Sequence, residues 1–161
     1  MENFEKALID FIVFAKRNSY AKSGEGGEKK NPDGSKELSL KKGNFSYSDR
    51  YYGSRQFSGI ETVFFKEVPV WSMVYTGAVV VAGGGAGGEI WEKKGSPFLK
   101  KCLGKVTPAA PFRGPEHFSS GKFSYENRLV GNFSFFSGSE AIRLDRKVIF
   151  VLSYSGGLVK K

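Results

Sequence analysis

GNFSYSDRYYG at residues 43–53 returns as GKFSYENRLVG at residues 121–131. The two stretches pair Gly43 with Gly121, Phe45 with Phe123, Ser46 with Ser124, Tyr47 with Tyr125, Arg50 with Arg128 and Gly53 with Gly131. After one inserted residue the likeness resumes, setting Phe57, Ser58, Gly59 and Glu61 against Phe136, Ser137, Gly138 and Glu140, then Tyr75, Gly77 and Val80 against Tyr154, Gly156 and Val159. Two copies are too few for a solenoid, which needs about three units before stacking makes a continuous core. The reading therefore predicts one closed domain with pseudo-two-fold symmetry.

Within each copy, three strands follow from alternation. Residues 44–51 place Phe45 and Tyr47 on one face and Ser46 on the other, and Phe123 and Tyr125 repeat the pattern. A second strand at 61–65 aligns Glu61, Val63 and Phe65 with Glu140, Ile142 and Leu144. A third, from Val70 onward, aligns Trp71, Met73 and Tyr75 with Phe150, Leu152 and Tyr154. Lys66-Glu67-Val68 and Asp145-Arg146-Lys147 are short enough joins for hairpins. Pro69 is tolerated at a strand start, where no ladder donor is lost.

Outside the strands, Phe4, Leu8, Phe11, Ile12 and Ala15 form the stripe of an amphipathic helix, with Asn3 as its cap, Asn18 as its stop and Lys16 among the surface charges. Residues 23–35, SGEGGEKKNPDGS, read as a surface loop, and 36–40 as a short strand. A second helix is expected from Ser96 as N-cap and Pro97 at its first position, with Phe98, Leu99, Cys102, Leu103 and Val106 apolar. Gly104, Pro108 and Pro111 end it. The predicted fold class is α+β: a helix and a three-stranded antiparallel meander, internally duplicated, with two helices packed on a mainly antiparallel sheet of six or seven strands. The single domain spans 1–161, with one repeat at 3–80, a Gly-rich linker at 82–95 and the other repeat at 96–161.

Composition narrows the function classes. With 161 residues, 40% hydrophobic and 15% aromatic, the chain has material for one core and is not a disordered segment. Cys102 is the single cysteine, so there is no internal disulfide, and with the lone His117 it makes no metal-ligand cluster. Acidic residues Glu2 and Glu5 open the chain, and no run reaches the ~18 apolar residues of a membrane span. These features predict a soluble cytoplasmic protein with no cofactor and no membrane partner. The net charge of +9 favours an acidic partner, but the lysines are scattered in pairs instead of forming one stripe. Nucleic-acid binding is the alternative reading.

Glu61 and Glu140 share a strand face with apolar residues, which turns both carboxylates toward the core. Such a group needs a donor or a raised pKa, conditions that also describe acid/base and ligand-binding groups. The structural explanation is local backbone bonding or pairing with Arg50 and Arg128. Tyr20, Tyr47, Tyr75, Tyr125 and Tyr154 supply hydroxyl-tipped rings suited to a mostly apolar pocket. Gly83–Gly88 lacks the Lys-Ser/Thr of a phosphate loop and reads as a linker. His117 reads as a surface histidine, and Cys102 as a buried, unreactive thiol. The candidate binding site, set where the two meanders meet, comprises Tyr20, Tyr47, Glu61, Trp71, Arg113, Tyr125, Glu140 and Tyr154, with the glutamates and Arg113 anchoring a polar ligand. No catalytic or metal residues are assigned. An enzyme using Glu61 or Glu140 as acid or base is the third reading.

NSYAK at 18–22, GSKEL at 34–38, FSYSDRYYG at 45–53, FSGIE at 57–61, FRGP at 112–115 and YSGGLVK at 154–160 together resemble a prokaryotic domain family of unknown function, found alone or C-terminal to XRE-type helix-turn-helix domains. The resemblance implies a ligand-sensing or interaction module, whose partner is a small molecule or a protein, and brings no catalytic residue with it. The chain departs from the fused members in having no helix-turn-helix, which argues against direct operator binding.

Overall fold

The computed structural model describes residues 2–20, 27–80 and 86–159. Nine strands, β1 (Lys29–Lys30), β2 (Lys36–Lys42), β3 (Phe45–Gly53), β4 (Gln56–Phe65), β5 (Val68–Val79), β6 (His117–Ser120), β7 (Phe123–Asn132), β8 (Phe135–Leu144) and β9 (Lys147–Leu158), form a single antiparallel sheet. The strand order is β1-β2-β3-β4-β5-β9-β8-β7-β6. Lys66 and Glu67 turn β4 into β5 with φ of 49° and 67°, and Asp145 and Arg146 turn β8 into β9 with 48° and 70°. Two consecutive positive φ values are the signature of a type I′ hairpin, whose twist matches that of the flanking strands.

This architecture corrects the predicted α+β class and its duplicated helix-plus-meander units. The 12-residue strands β5 and β9 pair with each other, Tyr75 opposite Tyr154, so the sheet runs unbroken through the middle of the molecule. An unpaired edge on either strand would leave a long row of backbone donors and acceptors unsatisfied, and pairing the two removes it. Strand β2 answers to the short strand expected at 36–40, and β1 and β6 extend the sheet beyond the six or seven expected.

Helical residues are few. α1 (Glu2–Asn18) is one regular helix, but residues 86–103 are broken into α2 (Ala86–Ile90), a π-helical turn (Trp91–Gly95) and α3 (Ser96–Leu103). No second unit matching α1 exists among the described residues. Ser96 does not cap a helix start, because the chain is already helical at Gly95. The linker reading of 82–95 gives way to helix over 86–95, while 81–85 lie outside the described residues, as do 23–26 of the predicted surface loop. The rest of that loop carries β1.

Among the described residues, only one face of the sheet is covered. Tyr47, Glu61, Val63, Trp71, Met73, Tyr75, Tyr125, Glu140, Ile142, Leu152 and Tyr154 point inward and are buried, while Ile60, Val74 and Val151 on the opposite face are exposed. Leu8, Phe11, Ile12 and Ala15 of α1 cover one end, with the Phe11 ring stacked on Phe45 at 5.0 Å. Trp91 covers the middle, its ring parallel to Phe150 at 5.0 Å. Phe98 stacks on Phe118 at 5.7 Å, and Phe112, from the segment before β6, meets Phe136 at 4.3 Å. Each such ring contributes on the order of 2 kcal/mol by leaving water.

Candidate ligand pocket

Alternation on β3 and β4 turns Asp49 and Glu61 to the inner face, and the register sets them directly opposite each other. Two facing carboxylates repel, so the fold must supply positive charge or protons. Lys16, from the last turn of α1, bonds Glu61, and its ammonium lies 5.6 Å from the Trp71 ring centre. Arg113 grips Glu140 with two bonds, Nε to Oε2 at 3.2 Å and Nη2 to Oε1 at 2.5 Å, and its Nη1 stands 3.9 Å from Glu61 Oε1.

The Arg113–Glu140 fork is fixed from behind. Tyr125 Oη donates to Glu140 Oε2 at 2.5 Å and accepts from the Gly114 amide at 3.1 Å. Asn127 Nδ2 donates to the Gly114 carbonyl at 3.0 Å, and Tyr154 Oη donates to Asn127 Oδ1 at 2.8 Å. Burial opposes charge on Arg113, but Glu140 more than offsets it and holds the guanidinium above its ordinary pKa.

Asp49 is served differently. It accepts a hydrogen bond from Tyr75 Oη at Oδ1, at 2.6 Å, and among the described residues no lysine, arginine or histidine nitrogen lies within salt-bridge distance of it. Burial, and after it the Glu61 charge, push its carboxyl up to about 7. Burial likewise lowers Lys16 and raises Tyr47, Tyr75 and Tyr125. Tyr154 rises to about 12, through burial first and Glu140 second.

These groups front a partly open cavity of about 80 Å³. Its polar wall is Lys16, Asp49, Glu61 and Arg113, and its rings come from Tyr20, Tyr47, Tyr51, Tyr75, Phe57, Trp91, Phe112 and Phe150. Of the predicted residues, Tyr20, Tyr47, Glu61 and Arg113 line it. Trp71 lies beneath Lys16, fully buried with its indole N–H unpartnered, and Tyr125, Glu140 and Tyr154 stand behind Arg113. The expected site is thus split into a cavity wall and a supporting network.

Several of the other expectations change. Arg50 and Arg128 do not serve the buried glutamates: Arg50 bonds Asp33, and Arg128 bonds Glu126 at 2.8 Å, both at the surface. Lys16 is buried instead of surface-exposed. It follows Ile12 by four residues, so helical spacing alone puts it beside the apolar stripe. Asp49, missed outright, shares its face with Tyr47 and Tyr51, and the same alternation that exposed Glu61 would have found it. Trp91 fell within the expected linker and carried no usable signal. His117 is exposed beside Glu116 at 3.6 Å, and burial first, then Glu140, raises the Cys102 thiol to about 12. Among the described residues no cluster of His, Cys, Asp and Glu could hold a metal, and no helix is long and apolar enough to cross a membrane.

Comparison with known proteins adds one finding, a match over residues 49–159 to a domain of unknown function, DUF5680. The chain belongs to the DUF5680 family. No curated protein and no solved structure matches it. The DUF5680 span takes in Asp49, Glu61, Tyr75, Arg113 and Glu140, whereas Lys16 and Tyr47 precede it.

Gly59 tests how the pocket wall is built. A Cβ there would meet Tyr75 Oη at 2.5 Å and Tyr51 Cβ at 2.7 Å, so the Tyr75 ring can approach Asp49 only across a glycine. Gly59→Ala is expected to cost about 1–3 kcal/mol by overpacking, read as a lower urea midpoint at unchanged m-value.

Proposed function

We propose that the chain is a small-molecule-binding module whose site is the cavity between α1, the inner face of β3–β5 and the segment carrying Trp91 and Arg113. The observation that carries this reading is Asp49, an acid buried among aromatic rings with a phenol as its hydrogen-bond partner and, among the described residues, no cation within salt-bridge distance. A buried carboxylate left that way costs stability, and perturbed acids in clefts concentrate at functional sites. The cavity suits a small group: a water needs roughly 10–15 Å³, so this space takes a few heavy atoms, either a whole small ligand or the head of a larger one. The resemblance to a family also found behind XRE-type helix-turn-helix domains supports a sensing role for such binding.

Glu61 and Glu140 are less suited to acid/base work than to support, since Lys16, Arg113 and Tyr125 already occupy them. Stacking of bases needs rings on the surface, and the rings of this cavity face inward.

Native mass spectrometry of the purified protein, with thermal-shift screening of metabolites and oligonucleotides at two salt concentrations, tests the proposal. A co-purifying small molecule, or a shift that survives high salt and weakens in Gly59→Ala, is expected. Shifts with oligonucleotides only, lost at high salt, would overturn it in favour of nucleic-acid binding.

A further inference from the structure

We infer that the ligand carries a small organic cation, an ammonium or methylated ammonium group, bound by the Asp49 carboxylate among the rings of Tyr47, Tyr51, Tyr75, Phe57 and Trp91. The inference rests on the pocket reading above and adds the chemical class of ligand. Its first support is the matching of charges. Lys16 is taken by Glu61 and Arg113 by Glu140, each through direct bonds, which leaves Asp49, among the described residues, as the charge facing the cavity without a direct ionic partner.

The second support is the walls. Aromatic faces carry negative potential and attract a desolvated cation within about 6 Å of the ring centre. The neighbourhood already uses this attraction twice, with Lys16 over Trp71 at 5.6 Å and Arg113 over Tyr75 at 6.0 Å. An anionic ligand, by contrast, would have to pull Lys16 from Glu61 or Arg113 from Glu140 while lying against Asp49. A neutral ligand would leave Asp49 unmatched.

Binding of this kind is coupled to protons. The groups facing Asp49 are Lys16 from α1, Tyr47 from β3, Glu61 from β4, Tyr75 from β5 and Arg113 from the segment before β6. With the cavity empty, Asp49 is protonated below about pH 7. A cation takes the place of that proton, so affinity falls as pH drops through this value.

Calorimetric titration with matched probes tests the inference: choline against its neutral carbon isostere 3,3-dimethyl-1-butanol, and benzylammonium against benzyl alcohol. At least one cation is expected to bind tenfold or more tightly than its neutral counterpart, and about a hundredfold more weakly at pH 5 than at pH 8, as release of one proton requires. Asp49→Asn, which keeps an oxygen for Tyr75 to donate to, is expected to abolish both the preference and the pH dependence. Equal binding of the neutral probes, affinity flat in pH, or no binding of either cation while the metabolite screen yields a neutral or anionic ligand overturns the cation assignment and leaves the pocket standing. A screen in which no small molecule binds at all removes the pocket reading and this inference with it.

Discussion

Arg113→Met is expected to destabilise the protein by about 3–5 kcal/mol, the range for removing one partner of a buried ion pair. The guanidinium is the direct cationic partner of Glu140, whose side chain is fully buried, and it also stands 3.9 Å from Glu61. Methionine fills much of the same space but leaves Glu140 with only the Tyr125 hydroxyl. A carboxylate buried without its cationic partner costs stability, because no solvent replaces the lost charge. Urea titration reads the loss directly. The double variant Arg113→Met/Glu140→Leu should recover much of the loss, because replacing a whole buried pair with apolar groups is often neutral. A single-variant loss under about 1 kcal/mol would show that water or relaxation already screens Glu140, and that the fork does not hold the network.

That network was partly legible in the sequence. Period-two alternation turned Glu61 and Glu140 inward without any structural knowledge, and it did so because a sheet with one covered face translates parity into burial. Finding their partners needed more. Arg50 and Arg128 lie near in sequence but fall on the opposite parity, and parity is decisive: they face solvent and pair with Asp33 and Glu126. Lys16 and Arg113 reach the glutamates from α1 and from the segment before β6, over distances that no local pattern encodes. The sheet itself shows the same division. Hairpins at Lys66-Glu67 and Asp145-Arg146 follow from short joins between alternating runs. The pairing of β5 with β9, which makes one sheet of nine strands, joins residues such as Tyr75 and Tyr154 that are remote along the chain. Sequence self-similarity suggested two units closing on one another, and it contained nothing to say that their last strands would be neighbours in one ladder.

Asp49→Asn is expected to stabilise the unliganded protein, by up to about 4 kcal/mol at pH 8 and by little at pH 4. The sign follows from the direction of the shift: an acid raised from 3.8 to about 7 binds its proton more tightly in the folded state. Between those values the folded protein holds a proton that the unfolded chain has lost, so stability falls with rising pH at ~1.4 kcal/mol per unit and levels off above about pH 7. Asparagine carries no charge to desolvate and can still accept the Tyr75 hydroxyl. Thermal denaturation should show a rise in Tm on the order of 10 °C at pH 8 that shrinks on acidification. Identical melting of both proteins across the range would mean that Asp49 does not ionise against its surroundings, and the unmatched charge in the cavity would be gone as an argument for a cationic ligand. If the variant gains stability and loses cation binding together, the two results have one cause. A carboxylate that opposes folding at neutral pH is the same group that a bound cation would neutralise, which is the trade expected where a site is kept for binding instead of for stability.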